Sequence, residues 1–430
     1  MIKYLIALNL DKLERGKVMN NKLEEKVKYL LPVIEFNKSI ITKGEGTHIY
    51  DKDGTCYLDI NSGQFCSILG HSNPKIAEEI SKSLYKIQHT NTSMLTDNVL
   101  YTAEKLNRIS GEMDASSIIL STGGEGIEFC LRYAKHIKGK NGVICFNKGY
   151  HGLTLGAQSI TYAGQYALPY VPLTYNVSIP DTFSNEDTIK KCIDEFKKVL
   201  ISHRNEIAVA IFEPIVSVGG MIIPPEKYFQ EIRRLCDEYD ILLAFDECQT
   251  GFARTGTWFY HQQIRCTPDI VVCAKGIGLG YPVSAVMFKR NLVPKDGFKM
   301  AHYSSHQNDA FQCEIINIGI DYIEKNKIMD SIKEKGEYFL KGLIDLSKEC
   351  TVITKPRGKG LMLGVDIELE NVHNYRPIYK KIHNEAQKRG LIIQGTNGGK
   401  TLRFLPSYLI DYSEIDLCIA ILKEICMELN

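Results

Sequence analysis

The chain has one tryptophan, no Cys-x-x-Cys pair, no run of eighteen apolar residues and almost no net charge. Each absence removes a class of protein. Without an eighteen-residue apolar run, no transmembrane helix is expected. A formal net charge of +1 gives no global field to draw in nucleic acid or an anionic membrane, so any anion must be held by local groups. The thirteen cysteines are odd in number and scattered, whereas a disulfide framework or a zinc site wants closer, regular spacings. Several of them (Cys145, Cys248, Cys273, Cys418) sit inside apolar runs, where a free thiol behaves as a small hydrophobe. That usage points to a reducing cytoplasm. Repeats and low-complexity linkers are also missing. Met1–Leu10 looks faintly like a signal peptide, but the apolar stretch is short. Asp11, Lys12, Glu14 and Arg15 follow it with no small-residue cleavage site. An N-terminal extension or a first helix is expected there, with Met19 as an alternative start.

What the chain does have is length for two packed lobes: 430 residues, with the composition of a soluble globular protein. Through the middle, apolar runs of strand length alternate with helix-period segments. Ser117–Ser121 precedes an amphipathic stretch carrying Ile127, Cys130, Leu131, Ala134 and Ile137 on one face. Val143–Phe146, Ile207–Phe212, Ile241–Phe245 and Ile270–Ala274 follow, with Tyr228–Tyr239 as a crossover helix. Unalternated runs of this kind suit strands buried on both faces, as in a parallel sheet covered by helices. Residues 45–60 suggest a hairpin turning at Asp53-Gly54. Beyond about residue 320, helical segments alternate with Leu361–Ile367, Leu391–Gln394 and Leu402–Phe404, and an amphipathic helix starts at Ser413. The expected architecture is α/β: residues 76–318 as a large domain, with a smaller domain built from residues 1–75 and 319–430.

Three local features carry chemistry. Lys275 follows a buried strand and enters the glycine-rich turn Gly276–Gly280, where partial desolvation frees an amine for imine formation. Lysines also end strands simply to reach solvent. The glycines here and at Gly358–Gly364 lack the acidic residue after a further strand that a dinucleotide fingerprint needs. Asp246 ends an apolar run, so its carboxylate emerges at the edge of the core and needs a cationic or hydrogen-bonding partner. A helix cap is the bland alternative. Ser121-Thr-Gly-Gly-Glu-Gly126 lies between a strand and a helix, where Gly123 and Gly124 let backbone N–H groups approach an anion such as phosphate. A cap without a ligand remains the alternative there.

In this order, Phe245-Asp-Glu-Cys-Gln-Thr-Gly-Phe-Ala-Arg-Thr-Gly256 and Thr267-Pro-Asp-Ile-Val-Val-Cys-Ala-Lys-Gly276 resemble the cofactor signature of class III aminotransferases. Glu213-Pro-Ile, Tyr150-His151-Gly152 and Leu402-Arg-Phe404 add to the likeness, which covers roughly residues 40 to 425. The resemblance implies a fold type I enzyme that uses pyridoxal 5'-phosphate, with a mostly parallel seven-stranded sheet. It implies that Lys275 forms the internal aldimine and shuttles a proton between substrate and cofactor. Asp246 would pair with the pyridine nitrogen, Gln249 would lie near the phenolic oxygen, and Tyr150 would stack on the ring, with His151 and Glu213 also at the cofactor. Gly123 and Gly124 would hold the phosphate together with Ser305, which in that family reaches in from the neighbouring subunit. A homodimer with shared active sites follows, a tetramer being left open. Arg403 would grip the substrate carboxylate, a bidentate task suited to guanidinium.

Within the family the nearest likeness is 2,2-dialkylglycine decarboxylase, through Asn61–His71, Ile119–Gly124, Glu213–Gly220 and Ser304–Asp309. Gln64 matches the glutamine at the leaving carboxylate there. Thr92, Ser305 and Asp309, with the carbonyls of Thr90 and Gln307, match an alkali-metal site, which implies K+ or Na+. Tyr150, Leu153 and Val218 depart from that enzyme's Trp, Met and Ser. Ornithine, acetylornithine and 4-aminobutyrate aminotransferases commonly carry Glu at the Val218 position, where it parks the arginine; Val218 removes that switch and suggests a substrate whose second group is apolar. The expected reaction is transfer of an amino group between an amino acid or amine and a 2-oxo acid. Decarboxylation-dependent transamination, and racemase or aminomutase chemistry, stay open on the same scaffold.

Overall fold

A computed structural model describes residues 26–429, apart from 32, 38, 164–165, 169–170 and 296–301. The N-terminal stretch expected as an extension or first helix, with its signal-like start and Met19, lies outside the described residues. No described helix is long and apolar enough to cross a membrane.

The chain opens with β1 (Ile41–Glu45), β2 (His48–Asp51) and β3 (Cys56–Asp59). The β2–β3 hairpin turns at Asp53-Gly54 as expected, because Asp51 Oδ1 accepts the N–H groups of Asp53 and Thr55 and Gly54 takes a φ of 84°. Next come β4 (Ala115–Leu120), β5 (Gly142–Phe146), β6 (Thr174–Val177), β7 (Ile207–Phe212), β8 (Leu242–Asp246), β9 (Ile270–Cys273) and β10 (Ser284–Lys289). These form one seven-stranded sheet in the order β4-β10-β9-β8-β7-β5-β6, in which only β10 runs antiparallel to its neighbours. The five strands read from apolar runs are all present. The two that were missed have physical reasons: β6 is a short, half-polar edge strand, and β10 follows a Gly-Tyr-Pro turn that breaks the apolar pattern.

Every residue of β7 and β8 is buried, because helices cover both faces. Burying one such aliphatic or aromatic side chain is worth about 1.5–3 kcal/mol. The helix Gly123–Lys138 lies on β9 and β10 so closely that a Cβ at Gly126 would sit 2.9 Å from Val272 Cγ1. The last part of the chain adds β11 (Ile353–Lys359), β12 (Met362–Ile367), β13 (Leu391–Ile392), β14 (Gln394–Thr396) and β15 (Thr401–Phe404). β13 joins the N-terminal strands by pairing parallel with β3, and the other four form an antiparallel sheet in the order β11-β12-β15-β14. Strands from the two parts of the chain thus share one four-stranded sheet, β1-β2-β3-β13.

Candidate active site

Five strand ends meet along one edge of the seven-stranded sheet. β4 ends at Leu120 and leads through Thr122 into the helix that begins at Gly123. β5 ends at Phe146 shortly before Tyr150 and His151, β7 ends at Phe212 just before Glu213, β8 ends on Asp246, and β9 ends at Cys273 just before Lys275. Because β8 and β9 pair in parallel with Asp246 opposite Val272, the carboxylate and the lysine emerge on adjacent strands at the same edge. In open α/β sheets this carboxyl edge is where ligands bind. Lys275 itself has a φ of 52°, a left-handed conformation that costs a non-glycine residue about 1–2 kcal/mol. Burial pushes the Cys66 thiol up against the opposing Lys275 charge, and the same charge adds a small lowering pull on Asp246.

Asp246 is buried, and its two oxygens are held by different donors. Oδ2 meets His151 Nδ1 at 2.7 Å and Oδ1 accepts the Cys248 N–H at 3.1 Å. Burial pushes this carboxyl up, but the His151 hydrogen bond and charge outweigh it, so the group stays below the usual carboxylate range. It is therefore an anion at neutral pH. His151 is thereby fixed against the Asp246 carboxylate.

Glu213 differs. Its carboxylate accepts the Tyr150 N–H at 2.8 Å and the Ser217 N–H at 3.4 Å, yet burial pushes its pKa up to about 7. The folded chain therefore keeps a proton on Glu213 that the unfolded chain has lost, and stability falls as pH rises between about 4.5 and about 7. At about 1.4 kcal/mol per unit, the penalty above that window is about 3 kcal/mol. Cofactor-free Glu213→Gln is expected to melt above the parent chain at pH 8 and close to it at pH 5. An equal gap at both pH values would rule out ionisation as the cause.

On the small-domain side, Arg403 lies on β15, buried, with its guanidinium 4.5 Å above the Phe65 ring. Its hydrogen-bond partners among the described residues are neutral: Nη1 donates to Ser217 Oγ and Nη2 to Gln394 Oε1, both at 3.2 Å, while the buried Nε has none among them. Burial lowers its pKa to about 10, which still leaves it charged at neutral pH. Gln394 Nε2 donates onward to Gln64 Oε1 at 2.8 Å. The loop carrying Gln64 is tied down by Asp59, whose Oδ2 takes both the Gly63 N–H and the His71 ring. Val218 contributes its backbone: its carbonyl accepts from Thr396 Oγ1 and from the Asn397 N–H.

The family model for class III aminotransferases matches residues 34–426 of the chain. The chain is a class III aminotransferase. An acetylornithine aminotransferase of Methanosarcina mazei is 30% identical over 97% of this chain and 98% of its own length. A [LysW]-aminoadipate semialdehyde/glutamate semialdehyde transaminase of Sulfolobus acidocaldarius is 31% identical over 89% of this chain and 94% of its own. Among solved structures, a Bacillus anthracis aminotransferase superposes with a TM-score of 0.88 at 25% identity, covering 96% of this chain and 99% of that one.

Class III aminotransferases use pyridoxal phosphate, and the edge described above fits it. A Cβ at Gly123 would lie 3.3 Å from both Ala274 Cβ and Cys248 Sγ, and one at Gly124 would lie 3.1 Å from Thr154 Cγ2, so side chains there would crowd the strand ends, and glycines leave the helix start's N–H groups bare for an anion. Gln249 has a buried side-chain oxygen without a partner among the described residues, and its amide can turn to offer either end. Orphaned polar atoms of this kind are expensive unless a ligand meets them.

The remaining sequence candidates lie on the segment 302–309 and the loop near residue 90. Ser305 is exposed and Thr92 half-buried. Asp309 is buried, with Oδ1 2.9 Å from His89 Nδ1 and Oδ2 2.5 Å from His306 Nδ1. The two histidines and Asp309 offer ligand atoms within 4.8 Å of one another. Sequence reasoning missed these histidines, as it missed Ser217 and Gln394. Ser217 and His306 lie inside stretches that carry the family likeness but were given no role there, while His89 and Gln394 sit in no motif and take their meaning from the partners the fold supplies.

Proposed function

We propose that this aminotransferase moves the amino group of an α-amino acid to a 2-oxo acid, with Arg403 gripping the carboxylate of each. The observation that carries this reading is a buried guanidinium whose only hydrogen-bond partners among the described residues are neutral. An unpaired buried cation is costly, and a carboxylate supplied by substrate removes the cost. The names of the relatives agree, since acetylornithine and succinylornithine both carry a carboxylate. Val218, apolar beside Ser217, favours an apolar second group on the substrate.

In this reading pyridoxal phosphate supplies an electron sink for the bonding pair released at the substrate α-carbon. Lys275 would attach the cofactor, and its amine would take up and return the proton at the substrate α-carbon. Asp246, kept anionic by His151, holds the pyridine proton. Gly123, Gly124 and Ser305 of the partner subunit would hold the phosphate, and Tyr150 and Gln249 would hold the ring. The enzyme is then a cytoplasmic homodimer, and Thr92, Ser305 and Asp309 form an alkali-ion site beside the active site.

Decarboxylation is the second reading, favoured by Gln64. Its oxygen is engaged by Gln394, which leaves its N–H groups available to hold a carboxylate. The missing hydrogen-bond donor at Val218 argues against it: such a bond to a charged group is worth about 1.5–3 kcal/mol, or about one to two decades in rate. Ordinary amino acids are therefore expected to react faster than 2-aminoisobutyrate, which has no α-hydrogen. Carbon dioxide release from 2-aminoisobutyrate at a matching rate would favour decarboxylation instead. The same assay in K+, Na+ and a bulky organic cation at fixed ionic strength reads the alkali-ion site, and equal rates would count against it.

A further inference from the structure

We propose that Gln394 is a specificity-determining residue: a neutral cross-strand hold that positions the Arg403 guanidinium for a carboxylate without bringing a charge of its own, and that orients the Gln64 amide beside it. The proposal deepens the reading of Arg403 as the carboxylate-binding group and rests on it.

Gln394 and Arg403 face each other directly across the antiparallel β14–β15 pair, where opposite side chains lie close enough to touch. Arg403 has only donors, so the Gln394 amide must turn its oxygen to Nη2 at 3.2 Å. Its nitrogen then faces Gln64 and donates to Oε1 at 2.8 Å. One amide therefore sets the orientation of a second, and the free donors of Gln64 follow from the charge on Arg403. The chain of bonds runs Arg403 to Gln394 to Gln64 and contains no anion.

The strength of the hold matters as much as its direction. Charge-assisted hydrogen bonds run at about 2.7–2.9 Å. Both bonds made by Arg403 are 3.2 Å, so Ser217 and Gln394 position the group without saturating it. A carboxylate in place of the Gln394 amide would form an ion pair at the same cross-strand position. An incoming carboxylate would then have to displace a bound charge. Gln394 selects carboxylate substrates by being uncharged.

The test is equilibrium binding of butyrate, an unreactive monocarboxylate, to the holoenzyme by calorimetry. The proteins compared are wild type, Gln394→Glu, Gln394→Leu and Arg403→Ala. Gln394→Glu should weaken butyrate binding by about tenfold to a hundredfold, the worth of a charged hydrogen bond. Gln394→Leu removes the hold but adds no charge, and should weaken it by less than about tenfold. The cofactor absorbance should be unchanged in both, since neither touches the residues assigned to the cofactor. Gln394→Glu binding butyrate within threefold of wild type, while Arg403→Ala loses it, overturns the role of Gln394 and leaves the Arg403 reading intact. Gln394→Leu losing as much as Gln394→Glu also overturns it, because packing rather than charge would then be the cause. Wild type binding butyrate no better than Arg403→Ala overturns the Arg403 reading itself, and this proposal with it.

Discussion

Lys275→Ala is expected to abolish amino transfer, a loss of at least about four decades, because the residue assigned both the cofactor linkage and the proton transfer is gone. The fold should survive. Alanine meets the same left-handed backbone cost at φ 52° that lysine already bears, and the lysine side chain is only partly buried. The phosphate cradle at Gly123 and Gly124 is untouched, so the variant should still take up the cofactor without a covalent bond. Borohydride reduction of the loaded parent protein, followed by peptide mapping, should place the pyridoxyl label on Lys275. A label on another lysine, or near-normal turnover by the variant, removes Lys275 from the centre of the reaction.

Asp246→Asn should leave the cofactor bound while slowing turnover by about a hundredfold to a thousandfold, the range seen when one preorganised electrostatic group is lost. Asparagine can still accept the Cys248 N–H that Asp246 Oδ1 accepts now. What it cannot supply is the negative charge that survives burial through the His151 contact at 2.7 Å. A neutral amide has no means of keeping a pyridine nitrogen protonated. Asp246→Glu, which retains the charge, should recover part of the rate. If Asp246→Asn works at close to the parent rate with the same cofactor absorbance, the carboxylate is a structural partner of His151 and nothing more.

The two largest expected effects belong to residues that the sequence already exposes, and the reason is local. A buried parallel strand must be apolar throughout, so a charged residue directly after such a run stands out against its neighbours. Asp246 after Ile241–Phe245 and Lys275 after Ile270–Ala274 are both of this kind. The glycine pair at 123 and 124 is legible for a related reason, since a strand running into a helix through glycines leaves backbone N–H groups bare. The antiparallel β10 was not legible: it enters the middle of a sheet of parallel strands, and its place there is fixed by pairing with β4 and β9 rather than by its own pattern. The contact of His89 with Asp309 was equally invisible, because His89 comes from a loop 220 residues away.

By itself, then, the sequence determined the α/β class, the buried strands of the large sheet, the hairpin at Asp53-Gly54, and the candidates whose chemistry shows against an apolar background. Tertiary structure alone decided which of those candidates act on one another. His151 and Asp246 are 95 residues apart and meet only because β5 and β8 end at the same edge. Gln394 is close to Arg403 in sequence, but the two become opposite partners only when β14 folds back on β15, and Gln64 joins them from 330 residues away. Strand periodicity and turn chemistry are properties of a few consecutive residues and can be read from them. Hydrogen bonds between distant side chains, and the neutral hydrogen-bond partners that Arg403 finds among the described residues, depend on what the folded chain brings together.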